Sequence, residues 1–246
     1  MKLAVAGGTG AVGTPITEIA RERGHEVVVL SRGTGVDLTT GAGLAAALHG
    51  VDAVIDVTSI QTQSAAASRA FFGSVTTTLL DAELAAGVRH HLALSIVGSD
   101  KAPFDYYAGK AEQERLVVEG RVPWTILRAT QFHEFARQLF GQFHLGPVSL
   151  VPRMISQPVA AREVAERLVT LAEGAPAGRA TDLGGPEVLR MSDMVRKYAR
   201  STGARGPILE LPLPGGFGKA MRDGTLVADP SADHGIQTYD AWLSSL

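Results

Sequence analysis

The chain has 246 residues, enough for one large α/β domain or a nucleotide-binding domain with a small appendage. Its 23 basic and 25 acidic residues leave a net charge of −2 without long runs of either sign, so neither nucleic acid nor a membrane surface is expected as a partner. The absence of cysteine excludes disulfides and thiolate metal ligands.

The chain opens with a short apolar run, residues 3–6, that predicts a buried strand. Glycines follow at a spacing of three, Gly7, Gly10 and Gly13, and then a helical pattern with Val12, Ile16, Ile19 and Ala20 on one face. A strand turning sharply into a helix points the helix's unpaired N–H groups and positive dipole end at the turn, where a pyrophosphate fits. Gly7 permits the turn, Gly10 lets backbone approach phosphate, and Gly13 lets helix and strand pack closely. The strand–turn–helix context makes dinucleotide binding the expectation. The start lacks a charged n-region and cleavage site, so no signal peptide is expected. No apolar run approaches the roughly 18 residues of a membrane span, and the expected location is cytoplasmic.

The first helix runs to about Arg23 and is closed by Gly24. Residues 25–30 predict a second strand, apolar from Val27 through Leu30 as in a parallel sheet buried on both faces. A loop at 31–41, a short helix ending at Gly50 and a strand at 51–57 follow. After a polar loop come a long helix to about Gly87, a strand at 92–95, a helix at 105–119 and a strand at 124–127. His90 and His91 precede their strand and are expected at the surface. Beyond Thr130 the rhythm changes, with helical segments near 131–143, 160–173 and 191–202 and strand-like pieces at 180–183 and 208–211. The regular alternation predicts an α/β fold, a doubly wound parallel sheet with a small C-terminal substrate-binding region. Residues 1–130 form the nucleotide-binding core, and 131–246 hold the remaining sheet elements and substrate region within one continuous domain.

An NAD-preferring site usually carries an acidic residue at the end of the second strand, for the ribose 2′-hydroxyl. Here that position reads Leu30-Ser31-Arg32, and a hydroxyl followed by a guanidinium suits a 2′-phosphate. NADP(H) is therefore expected over NAD(H). Tyr106 and Lys110 lie four apart on one helix face. A neighbouring ammonium would favour the phenolate and lower the phenol's pKa, so that Tyr106 passes a proton to a carbonyl oxygen. Ser95, at the end of its strand, would bond the same oxygen, and Lys110 would also hold the cofactor ribose. The spacing leaves open whether Tyr107 faces the cleft instead, and whether Ser95 merely ends its strand.

The glycine pattern, the Ser95…Tyr106-x-x-x-Lys110 order and the stretch Pro123-Trp124-Thr125-Ile126-Leu127-Arg128 together resemble the short-chain dehydrogenase/reductase superfamily. More closely they resemble its atypical, NmrA-like NAD(P)H-binding branch, as does Gly184-Gly185-Pro186-Glu187-Val188 before a helix. The resemblance implies a Rossmann fold with the cofactor over residues 7–13, including Thr9, Ala11 and Val12. It places Ser31 and Arg32 at the 2′-phosphate, Asp37 and Leu38 near the adenine, and Val57 and Thr58 beside the ribose. Ala129, Thr130 and Gln131 would lie near the nicotinamide. Some members of the branch reduce quinones, unsaturated or imine-like compounds, and others sense redox state without turnover.

His133 and Phe132, after the sixth strand, and Phe217 are substrate candidates, and Phe140, Phe143, Met154 and Met221 are further apolar candidates for a pocket. The histidines lack metal-ligand spacing, and no metal is expected. The expected function is an NADPH-dependent oxidoreductase reducing a small apolar carbonyl, quinone-like or conjugated substrate, as monomer or homodimer. Its rivals are a non-catalytic NADP(H) sensor and a cofactor-independent cyclase or lyase.

Overall fold

A computed structural model describes residues 1–142, 144–145, 148–204 and 206–246. The chain divides into two compact units, one of Met1–Arg128 with Ala161–Thr181, the other of Ala129–Ala160 with Asp182–Leu246.

The first unit is built on strands β1 (Lys2–Ala6), β2 (Glu26–Leu30), β3 (Ala53–Asp56), β4 (His90–Ile96) and β5 (Trp124–Ala129), the last residue of β5 falling in the second unit. Between them run helices α1 (Gly13–Glu22), α2 (Leu44–Ala47), α3 (Ala65–Ala86) and α4 (Asp105–Glu119). The strand order is β2-β1-β3-β4-β5, with β1 parallel to both β2 and β3, and β3 parallel to β4. Strand Gly178–Arg179 adds beyond β5, parallel to Thr125 and Ile126. The opening apolar run is wholly buried from Leu3 to Ala6 because β1 lies inside the sheet. Ala4 and Ala6 join Leu30, Leu44, Leu48, Val54 and Leu79 in one core cluster. Helix α1 packs against helix Ala161–Glu173, and Arg23 and His25 bond Glu173 at 3.0 and 2.9 Å.

Val27, Val28 and Val29 are half-buried rather than buried on both faces, because β2 ends the sheet. His90 and His91 are not surface residues but the first residues of β4, an interior strand, and both are buried. Each survives there by finding a partner. His90 Nε2 lies 2.8 Å from Thr125 Oγ1, and His91 Nδ1 lies 2.9 and 3.0 Å from the two carboxylate oxygens of Glu83 on α3.

The second unit contains a three-stranded sheet in which Val148–Pro152 pairs in parallel with Ile208–Leu211 and antiparallel with His144–Leu145. Helices Phe135–Gln142 and Met191–Ser201 pack on it. Strand Leu183–Gly184 pairs with Ala129 and with Asp233–His234, and Ile155–Ser156 pairs with Leu189–Arg190. The helix expected near 131 starts at Phe135. Phe132 instead makes a parallel bridge to Val159, with His133 N–H donating to Val159 O and Val159 N–H to Gln131 O, and residues 133–134 turn into the helix. Helices Gly215–Asp223 and Tyr239–Leu243 complete the unit. No helix among the described residues is long and apolar enough to cross a membrane.

Candidate functional site

β1 ends at Ala6, and the chain turns through Gly7 with φ of +80°, a left-handed conformation that glycine adopts without a Cβ clash. Gly10 N–H closes the turn onto Gly7 O at 3.0 Å, and Thr14 N–H donates to Gly10 O at 3.0 Å. A Cβ on Gly13 would lie 2.1 Å from Gly7 O and 2.6 Å from Gly8 Cα, so helix and turn meet there as only glycine allows. The first turn of α1 holds no acidic side chain, and Val12 supplies no side-chain cap. Thr14 N–H is taken by Gly10 O and Pro15 has none to offer, so what faces the glycine turn is the positive dipole end of α1 with no acidic side chain to offset it, which fits a pyrophosphate.

At the end of β2, Ser31 N–H donates to Thr34 Oγ1 at 3.1 Å, and Thr34 Oγ1 donates to Val29 O at 2.7 Å. This holds the turn that presents Arg32 to solvent. Asp37 Oδ1 accepts the Thr39 N–H at 2.8 Å, while Leu38 packs on the core. After β3, Val57 is half-buried and Thr58 buried. Thr58 N–H donates to Asp56 Oδ1 at 2.9 Å, and its carbonyl accepts from Lys110 Nζ at 3.4 Å.

Tyr106 and Lys110 share one side of α4 but meet different partners. The Tyr106 hydroxyl lies 3.0 Å from Ser59 Oγ, and its ring stands edge-on to Phe72 at 5.5 Å. Asp105, just before it, adopts φ of +47°, the left-handed region that non-glycine residues seldom occupy outside tight turns and functional sites. Burial pushes the Tyr106 phenol up to about 12, with the Ser59 hydrogen bond opposing the rise. The expected lowering by Lys110 is not seen, since burial dominates the phenol and the Asp56 carboxylate adds to the rise. Lys110 Nζ donates to Leu94 O and to Gln113 Oε1, each at 2.9 Å, and reaches the carbonyl of Thr58. It also lies 4.4 Å from the Phe72 ring centroid. Gln113 Nε2 donates to Asp56 Oδ2 at 2.7 Å, so an amide spaces the ammonium from that carboxylate. Burial brings the Lys110 ammonium down to about 8, against the pull of Asp56 and Glu114. Tyr107 is buried.

Ser95 is placed differently. Its hydroxyl donates to Glu114 Oε1 at 2.5 Å, a carboxylate that also accepts from Ser99 at 3.0 Å. Arg128 grips both Glu114 oxygens at 2.8 and 2.7 Å, and Arg179 adds a bond of 2.7 Å. Burial alone would push the Glu114 carboxyl up, but hydrogen bonds from Arg128, Ser95 and Arg179 outweigh it and hold it down at about 2.

The remaining candidates belong to the second unit. Thr130 N–H donates to Leu183 O at 3.0 Å, and its hydroxyl donates to Gln157 O. Gln131 accepts from Ser156 Oγ at 2.9 Å and donates to Leu226 O at 3.3 Å. His133 is buried, its Nε2 lying 3.1 Å from Gln237 O and its ring centroid 5.6 Å from those of Tyr239 and Trp242. Phe132 and Phe217 are half-buried, Phe140 stacks edge-on against Tyr198 at 5.9 Å, and Met154 and Met221 are buried. Phe143 lies outside the described residues.

A family profile described as NAD(P)H-binding matches residues 7–172. The chain belongs to this NAD(P)H-binding family. Solved structures carry the same fold. An NADPH-dependent quinone oxidoreductase from Escherichia coli, in complex with NADPH, superposes with a TM-score of 0.73 at 17% identity over 99% of each chain. A short-chain dehydrogenase/reductase superfamily protein from Agrobacterium tumefaciens with bound NAD gives 0.72 at 21% identity, over 100% of this chain and 95% of the other. A 40-residue stretch is 48% identical to an epimerase family protein of Bos taurus, SDR39U1, covering 16% of this chain and 14% of that relative. Together with the parallel sheet, these place this NAD(P)H-binding protein on the short-chain dehydrogenase/reductase fold.

Sequence reasoning missed Asp56, Ser59, Gln113 and Glu114. A signal existed for two of them. Gln113 follows Lys110 by three and Asp56 interrupts an apolar strand, so both are polar residues where the patterns call for core.

Proposed function

We propose that the protein is an NADPH-dependent oxidoreductase acting on a small apolar carbonyl, quinone-like or conjugated compound. The observation that carries this reading is the position of Thr58. A Cβ on Gly7 would come 3.1 Å from the Thr58 N, while the Thr58 carbonyl accepts from Lys110. The acid–base helix thus adjoins the glycine turn through one residue. In this reading Gly7, Thr9, Gly10, Ala11, Val12 and Gly13 receive the pyrophosphate, and Ser31 and Arg32 select the 2′-phosphate. Asp37 and Leu38 flank the adenine, and Val57, Thr58 and Lys110 flank the ribose. NADPH, when bound, supplies a hydride. Tyr106, protonated at neutral pH because its phenol stays high, donates the proton that the reduced oxygen needs.

The test is a tryptophan-excited fluorescence titration with NADPH and NADH, followed by turnover assays with quinones and aromatic aldehydes. NADPH binding at least roughly tenfold tighter, about 1.4 kcal/mol, with turnover lost in Tyr106→Phe, is the expected result. Binding of neither nucleotide would overturn the reading. A second reading, a redox sensor, draws on the commitment of Lys110 to Leu94, Gln113 and Thr58, which leaves the phenol unactivated by the ammonium. It predicts tight binding with no turnover on any probe.

A further inference from the structure

We propose that Ser59, and not Ser95, is the hydroxyl that positions Tyr106 for proton transfer and connects it to solvent. This rests on the oxidoreductase reading above. A serine hydroxyl carries a single hydrogen, and a substrate carbonyl oxygen only accepts. Ser95 directs its hydrogen to Glu114 at 2.5 Å, a carboxylate kept ionised by Arg128 and Arg179. Ser95 is buried, so donating to a substrate oxygen would strip one bond from a buried ion cluster. Ser59 carries no such obligation. Its Oγ meets the Tyr106 hydroxyl at 3.0 Å, an arrangement in which either oxygen can be the donor. Ser59 is exposed, whereas Tyr106 is half-buried.

The loop bearing Ser59 is held from both sides. Asp56 Oδ1 accepts the N–H of Thr58, and Lys110 donates to its carbonyl. Asp56 and Lys110 are in turn joined through Gln113, so the residue before Ser59 is tied to the helix that carries Tyr106. The proton accounting follows. The Tyr106 O–H bond breaks and its proton goes to the substrate oxygen, while the hydride and its electron pair, from the nicotinamide cofactor, go to the substrate carbon. The Ser59 hydroxyl hydrogen then passes to the phenolate, and Ser59 takes its replacement from solvent water. One hydride and one solvent proton are consumed per turnover.

The experiment compares Ser59→Ala, Ser59→Thr and Ser95→Ala with the wild-type chain. Turnover is followed with NADPH and two probes, menadione and benzaldehyde. The ¹³Cζ resonance of Tyr106, assigned with Tyr106→Phe, reports its hydrogen bond without any need for activity. Ser59→Ala is expected to move that resonance, lower kcat about tenfold at unchanged KM for NADPH, and shift the pH limb of kcat upward. Ser59→Thr restores most of the rate. Ser95→Ala leaves the Tyr106 resonance and the pH profile in place even where it lowers the thermal midpoint. Wild-type turnover that survives Ser59→Ala, or a Ser95→Ala variant that moves the pH profile equally, overturns the proposal and leaves the oxidoreductase reading standing. A wild-type chain that reduces neither probe removes that reading, and the proposal with it.

Discussion

Glu114→Gln tests the buried ion cluster beside the candidate site. The substitution keeps the shape and removes the charge that Arg128 grips at 2.8 and 2.7 Å, and the Arg128 side chain is only 14% exposed. Removing one partner of such a pair costs about 3–5 kcal/mol, because the other charge stays buried alone. The carboxyl's own titration gives a similar figure. It is held at about 2 rather than 4.5. At about 1.4 kcal/mol per pKa unit, its ionisation contributes about 3 kcal/mol. The folded pKa is depressed, so this contribution is complete above the unfolded value near 4.5 and disappears as pH falls through about 2. The assay is urea unfolding in a Trp242→Phe background, so that Trp124, packed against Leu80, Ala93, Val117, Val122 and Ile126, reports on the first unit. The variant should be about 3 kcal/mol less stable at pH 7, with the gap narrowing below pH 4.5. A loss below about 1 kcal/mol at neutral pH, or a gap unchanged at pH 3, would refute the reasoning.

Gly13→Ala drives a methyl group to 2.1 Å from Gly7 O and should weaken NADPH binding at least about tenfold, whereas Gly10→Ala, with its nearest atom at 3.3 Å, should be milder. Nucleotide titration checks both. Arg32→Ala should cost roughly 10- to 100-fold in NADPH affinity while sparing NADH, and a parallel loss for both nucleotides would remove the 2′-phosphate assignment. Lys110 has a folded pKa of about 8 against 10.5, so between those values the unfolded chain holds the extra proton. First-unit stability of the wild type relative to Lys110→Met should therefore rise from pH 8 to 10, by on the order of 1–3 kcal/mol in urea titrations.

The glycine turn and the strand–helix alternation were legible because both are local. The Leu3–Ala6 run announces a buried strand, and Gly7 and Gly13 sit where backbone geometry admits nothing larger. Helical spacing likewise put Tyr106 and Lys110 on one face. What spacing cannot convey is the partner. Tyr106 meets Ser59 from the loop after β3, Lys110 meets the carbonyl of Leu94, and Ser95 meets Glu114. Each of these partners arrives through the topology of the sheet. The paired histidines misled for the same reason. His90 and His91 look like exposed polar side chains until Thr125 and Glu83 are folded against them.

The division of the chain has a consequence for its synthesis. The first unit takes residues Ala161–Thr181 from beyond the opening of the second, and the second resumes only at Asp182. On a ribosome adding about 5–20 residues per second, the sheet through Arg128 emerges several seconds before the helix that packs on α1. Until Ala161–Glu173 arrives, α1 lacks that partner helix. The nascent α1 thus waits on its sheet with its partner helix still to be made, a state in which a chaperone would have most to protect.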